Sequence, residues 1–202
     1  LLLEWSEKPP VPAKPDITSW TSITAKEAAE LRKLARNREV LEIGSGFGFS
    51  TAVLASVANH VLSVDPHQVP PGYGNFFDGP PSPKYQSTYP AVKELLSELG
   101  LTDKVDTVFE PSQVLLAEGH VLAEGLGGKL TMAFIDGDHS YDAALADLTN
   151  CARILGPGGI IACHDYGEES GAATVDVPRA VDEWRQGRAF RLVDTLAVLA
   201  VE

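Results

Sequence analysis

The chain has 202 residues, 44% hydrophobic and 22% charged, with 16 Lys and Arg against 28 Asp and Glu for a formal net charge of -12. That length holds one α/β domain with a buried core and is short for a second. So acidic a balance repels phosphate backbones and anionic membrane surfaces, and no apolar run approaches the ~18 residues of a membrane span, so neither a nucleic-acid nor a membrane partner is expected.

Residues 1 to 19 carry Pro9, Pro10, Pro12 and Pro15 with little apolar periodicity, and read as an extended arm before a domain spanning residues 20 to 202. Leu1-Leu2-Leu3 is too short for a signal-sequence core. Thr24 and Glu27 make a capping box that opens a helix to about Arg36, with Glu27, Glu30 and the basic cluster Arg32 to Arg38 on its solvated face. Val40 to Ile43 is the first strand, and it breaks into Gly44-Ser45-Gly46-Phe47-Gly48, where a helix opens near Phe47. Closely spaced glycines allow a sharp turn and a close approach of backbone to ligand, and the helix start adds free amides and a positive dipole end. The stretch reads as a cofactor cradle; a tight turn with no ligand would use the same residues. The next strand, Val61 to Val64, ends on Asp65, where a doubly wound sheet places a carboxylate for ribose hydroxyls.

Pro66 to Pro83 is long for a βα connection, and Tyr73, Phe76 and Phe77 among its prolines either wall a pocket or pack on one another. A helix follows from about Thr88 to Leu99, then a strand from Val105 to Phe109, then Glu110-Pro111-Ser112-Gln113 at the start of a helix running to about Glu124. Leu130 to Ile135 suits a central parallel strand and ends in Asp136-Gly137-Asp138-His139. Beyond a helix carrying Ala144, Leu145, Leu148, Ala152 and Leu155 at helical spacing, Gly156 to Gly159 turns into Ile160 to Cys163, which closes on His164-Asp165. Cys151 and Cys163, unpatterned and inside apolar segments, suit reduced core thiols in a cytoplasmic protein. Gly167 to Val175 is a candidate second lid, a helix begins at Pro178, and Phe190 to Val193 and Leu196 to Val201 make two closing strands. The arm and the long loop are compatible with a homodimer.

Asp136, His139, His164 and Asp165 therefore gather at the sheet edge that carries the glycine loop. Two carboxylates with one or two imidazoles can hold Mg2+ or another divalent metal, which binds a substrate hydroxyl and lowers its pKa. The bland alternative makes the aspartates helix caps and His164 a core histidine.

Glu42-Ile43-Gly44-Ser45-Gly46-Phe47-Gly48 resembles the glycine loop of class I S-adenosylmethionine-dependent methyltransferases, in which an acid precedes the first glycine; the dinucleotide fingerprint spaces its third glycine differently. Phe134 to Tyr141, Leu155-Gly156-Pro157-Gly158-Gly159 and His164-Asp165-Tyr166 are similar to the group containing macrolide-sugar and other natural-product O-methyltransferases. Thr21-Ser22 and Ser112-Gln113 resemble positions in catechol-type O-methyltransferases. The resemblance implies a doubly wound, Rossmann-like α/β fold whose seven-stranded, mostly parallel sheet ends in an antiparallel hairpin. It implies a cofactor site of Thr21 and Ser22 at the methionine end, Glu42, Gly44, Ser45, Gly46, Phe47 and Ser50 around methionine and ribose, Asp65 and Pro66 at the ribose, Ser112 and Gln113 at adenine, and Asp136 beside the methyl. It further implies Asp136 and Asp165 as metal ligands, beside which His164 is the third candidate ligand, with His139 and Asp136 catalytic and His139 taking the proton of a small-molecule hydroxyl.

His164 departs from relatives with an acid at that position, and imidazole suits magnesium less well than oxygen does. Either another metal fits, or the metal site is degenerate, or His164 is itself the base. Two other readings share the cradle: an NAD(P)-dependent oxidoreductase, and a non-catalytic cofactor-binding protein of the same fold.

Overall fold

Strand-forming apolar runs and the glycine turns that end them set the layout of the computed structural model, which describes residues 23–68, 87–118, 120, 125–167 and 176–202. The strands are β1 (Glu39–Ile43), β2 (His60–Val64), β3 (Val105–Val108), β4 (Met132–Ile135), β5 (Ile160–Cys163), β6 (Arg191–Val193) and β7 (Leu196–Ala200). They form one sheet in the order β3-β2-β1-β4-β5-β7-β6. The first five run parallel, while β7 lies antiparallel to both β5 and β6, as expected of a closing hairpin.

Helices α1 (Ala25–Ala35), α2 (Phe49–Ala55), α3 (Tyr89–Glu98), α4 (Ser112–Leu115), α5 (Tyr141–Leu155) and α6 (Val177–Arg185) cover the two faces. Alternation along each strand decides which core a side chain joins. Leu41, Ile43, Ala133 and Ile135 pack with Leu115, Leu148, Ile154 and Val181 from α4, α5 and α6. Val40, Met132 and Phe134 pack on the opposite face with Leu31, Val53 and Leu54 from α1 and α2. No helix among the described residues is long and apolar enough to cross a membrane.

Several expectations shift in detail. The capping box of α1 forms, with Thr24 Oγ1 accepting from the Glu27 amide and Glu27 accepting from the Thr24 amide, but Glu27 is fully buried rather than on a solvated face. The α2 helix begins at Phe49, two residues later than expected, because Gly48 caps it in the left-handed region at φ 89°. Of the helix expected from Pro111 to about Glu124, the described residues up to 118 form a single turn, α4. Its last residues leave helical geometry at Leu116, whose carbonyl is taken by Arg153 Nη2 of α5 at 2.7 Å, so an outside donor replaces the next helical amide. The arm, Thr21, Ser22, Tyr73, Phe76, Phe77 and residues 168–175 of the second candidate lid lie outside the described residues.

Candidate active site at the strand ends

Parallel pairing brings the functional residues into line. Ile43 is level with Val64 on one side and Ile135 on the other, and Ile135 is level with Cys163. The ladder continues one residue further at each strand: Gly44 N donates to the Val64 carbonyl, Asp136 N to Ile43 and His164 N to Ile135, at 2.8 to 3.0 Å. Asp65 N donates to Val108 at 3.1 Å. Gly44, Asp65, Asp136 and His164 thus stand in one row at the carboxyl edge of the sheet, where open α/β sheets bind ligands.

Gly44 is the point of closest approach. At φ 82°, an added Cβ would lie 2.0 Å from the Asp136 carbonyl oxygen, so only glycine lets β1 leave its strand against the end of β4. Gly46 is the reverse case, exposed, with nothing among the described residues within 4 Å of an added Cβ. Asp65 folds over the loop and accepts from the amides of Ser45 and Gly46, both at 2.9 Å, with its other oxygen taking the His67 amide at 2.5 Å. Phe47 is half-buried at the loop and Pro66 is exposed beside Asp65.

Glu42 and Ser50 lie beneath this surface. Glu42 is fully buried and accepts from Ser50 Oγ at 2.7 Å, Thr51 Oγ1 at 2.6 Å and Ser63 Oγ at 2.9 Å. Burial pushes its carboxyl up to about 7 against the pull of those three donors. The acid before the first glycine therefore ties β1 to α2 and β2, and holds the loop from below.

The second cluster spans β4 and β5. Asp165, at φ 60°, leaves β5 in the left-handed region and lies 3.2 Å, through Oδ2, from His139 Nε2. The same nitrogen lies 3.4 Å from Asp136 Oδ1. Asp136, His139 and Asp165 each offer a ligand atom within 4.8 Å of the other two. His164, the imidazole expected beside these carboxylates, approaches them from the buried side, while His139 completes the group of three. His164 is buried and its Nε2 is turned away to Thr195 Oγ1 at 3.2 Å and Glu27 Oε2 at 3.4 Å. Its Nδ1 lies 3.4 Å from Asp136 and 3.2 Å from Asp165. Burial works against charge on this imidazole, yet Asp136, Asp165 and Glu27 together raise its pKa to about 12. That Nδ1 has no hydrogen-bond partner among the described residues, so it faces the two carboxylates without being tied to either. Burial likewise opposes charge on Asp136, but contact with His139 and His164 leaves its carboxyl far below the usual range. His139 is raised above 6.5, chiefly by its contact with Asp136.

Two acidic residues escape sequence reasoning. Glu27 reads as a cap, yet it also accepts from the Thr195 amide and hydroxyl at 2.8 Å, tying α1 to the turn between β6 and β7. Asp147 is a buried carboxylate on α5; it takes Ser112 Oγ at 2.7 Å and Gln113 Nε2 at 3.3 Å, so both residues expected at adenine are held from inside. An acid among the apolar positions Ala144, Leu148 and Cys151 is the available signal.

This strand order, with the glycine loop at β1 and the acidic edge at β4 and β5, is the class I S-adenosylmethionine-dependent methyltransferase fold. The chain belongs to the family described as Methyltransferase domain, whose model matches residues 41–166, more than half of the sequence. Residues 7–68 also match the model described as protein-L-isoaspartate(D-aspartate) O-methyltransferase. Cofactor-bound Rv0187 from MTB is similar at 22% identity and TM-score 0.63, over 89% of this chain and 81% of that one. An O-methyltransferase from Bacillus cereus, in complex with SAH, is similar at 15% identity and TM-score 0.62, over 89% and 82%. A putative rRNA-methylase from Clostridium thermocellum is similar at 16% and TM-score 0.56, over 85% and 92%. At these identities the likenesses show the fold. The family match sets the nicotinamide reading aside, and S-adenosylmethionine is the cofactor.

Proposed function

We propose that this enzyme methylates a hydroxyl oxygen of a small molecule, in the cytoplasm, with residues 20–202 as the methyltransferase domain. The observation that carries the reading is the Asp136–His139–Asp165 cluster on the same sheet edge as the exposed tip of the glycine loop. S-adenosylmethionine, when bound, supplies an electrophilic methyl on a sulfonium sulfur. The amides of Ser45 and Gly46 and the Asp65 carboxylate, now bonded to one another, are the groups that meet its ribose, flanked by Gly44, Phe47 and Pro66. Glu42 and Ser50 keep that loop in shape from below, Ser112 and Gln113 face the base, and Thr21 and Ser22 serve the methionine end.

At the other side of the crevice, His139 accepts the hydroxyl proton at Nε2, and Asp136 and Asp165, at 3.4 and 3.2 Å, stabilise the imidazolium that results. Two carboxylates and an imidazole also fit a divalent cation, which would lower the pKa of a bound hydroxyl; Asp136, His139 and Asp165 would hold it. Holding the acceptor in line with the methyl is the larger share of catalysis in either case. The net charge of -12 supports a small acceptor over a polynucleotide, and two buried free cysteines suit a reducing compartment.

The test is a screen for methyl transfer from labelled S-adenosylmethionine to sugars, phenols and RNA, with and without EDTA. Labelled hydroxylated small molecules support the reading, and labelled RNA alone overturns it. Loss of turnover in EDTA assigns the cluster to a metal, and its retention assigns the proton to His139 directly.

A further inference from the structure

His164 is gripped from behind by α1 and by the turn between β6 and β7. Glu27 accepts from the amides of Thr24 at 2.7 Å and Thr195 at 2.8 Å, and from Thr195 Oγ1 at 2.8 Å. A carboxylate accepts only, so the Thr195 hydroxyl gives its proton to Glu27 and turns a lone pair to His164 Nε2, 3.2 Å away. Nε2 therefore carries a proton, shared between Thr195 and Glu27, whose Oε2 lies at 3.4 Å. Asp194 pins the same turn to α1, accepting from Thr24 Oγ1 at 2.8 Å and Lys26 Nζ at 3.1 Å. With Nε2 fixed and the ring against buried Phe134, at 6.5 Å between centroids, the plane of the imidazole is set. The other nitrogen, Nδ1, is buried without a hydrogen-bond partner among the described residues, 3.4 Å from Asp136 Oδ1 and 3.2 Å from Asp165 Oδ1. The half-buried His139 meets the same pair through Nε2, at 3.4 Å from that Asp136 oxygen and 3.2 Å from the other oxygen of Asp165. Two carboxylates side by side repel, so the ring edge that stands against both sets how far apart they sit.

We propose that Glu27 and Thr195 are positioning residues for proton transfer: acting through the His164 ring, they fix the spacing of Asp136 and Asp165 that His139 needs. The inference rests on the assignment of His139 and these carboxylates to the proton step above. Thr195 separates this role from the capping of α1. Thr195→Val keeps the shape and the backbone amide bonded to Glu27, while removing the hydroxyl that joins Glu27 to His164.

The test is nitrogen NMR of the full chain labelled at its histidines, correlating ring nitrogens with carbon-bound ring protons, for wild type, Thr195→Val and Thr195→Ser at one pH. His139→Gln and His164→Gln assign the two rings, and His60 and His67 report any general loosening. Thr195→Val should shift the nitrogens of His139 as well as those of His164, with His60 and His67 unmoved, and Thr195→Ser should restore both. On the hydroxyl acceptor labelled in the methyl-transfer screen, Thr195→Val should lower kcat about tenfold, with affinity for S-adenosylhomocysteine within about twofold of wild type. A shift confined to His164, or in neither ring, overturns the proposal, since Thr195 then serves the turn alone. Should Thr195→Val fail to fold, Glu27→Gln, which sets a donor where an acceptor stood, is read in the same way. Turnover retained in His139→Ala sinks the proton assignment itself, whereas turnover lost there with an unshifted His139 in Thr195→Val sinks this inference alone.

Discussion

Glu42 is held by three hydroxyls and no cation among the described residues, and that sets the sign of its effect on stability. Its folded pKa of about 7 lies above the ordinary 4.5, so the folded state keeps a proton the unfolded chain releases. That contribution is complete below 4.5 and is lost as pH rises through about 7, to a limit of about 3 kcal/mol. Urea denaturation between pH 5 and 8 should show wild-type stability falling more steeply than that of Glu42→Gln, the difference between the two curves isolating this group. Parallel curves would mean Glu42 is ionised throughout. His139 calls for a kinetic test instead. Asp136 holds its proton, so the base appears only above the ordinary 6.5, and the acid limb of kcat should lie higher than for a free histidine. His139→Ala should lower kcat by about a hundredfold with S-adenosylhomocysteine affinity unchanged; unchanged turnover removes the assignment. At this scale the sequence shows which residue types gather at the strand ends, but not how they divide the work. Asp136 and Asp165 were legible as strand-end acids. The contacts that turn His164 Nε2 away from that edge were not, because they run to Glu27 and Thr195, 137 and 31 residues away from His164 in the chain.

Among elements, the turn out of β1 and the tie between α1 and the last hairpin matter most. Gly44→Ala must drive β1 away from the Asp136 carbonyl and adopt a left-handed backbone, at a cost of about 3 kcal/mol or more. A folded Gly44→Ala with wild-type stability would show that the two strand ends are not in contact. Glu27→Ala strips partners from the Thr24 amide, the Thr195 amide and hydroxyl, and His164, and should cost about 2 to 4 kcal/mol. Glu27→Gln, which keeps one acceptor, should cost less, as thermal denaturation can check. Strands β4 and β5 were legible because a doubly covered parallel strand is an unbroken apolar run. The single turn of α4 was not, because Arg153 of another helix ends it.

For the whole molecule, the order β3-β2-β1-β4-β5-β7-β6 is what sets the loop and the acidic cluster side by side, on either side of the switch between β1 and β4. Periodicity alone does not give strand order; the glycine loop and the His-Asp strand end, read as a family resemblance, supplied the fold class and the closing hairpin, and the order itself comes from the structure. The central claim is that this edge is built around S-adenosylmethionine, and the most direct measurement is calorimetric titration of the full chain with S-adenosylmethionine, with and without Mg2+ or Mn2+ and against NAD as control. Saturable binding with one site per chain, weakened about tenfold or more in Asp65→Ala and absent for NAD, is the predicted result. No binding of S-adenosylmethionine under any of these conditions would contradict the account.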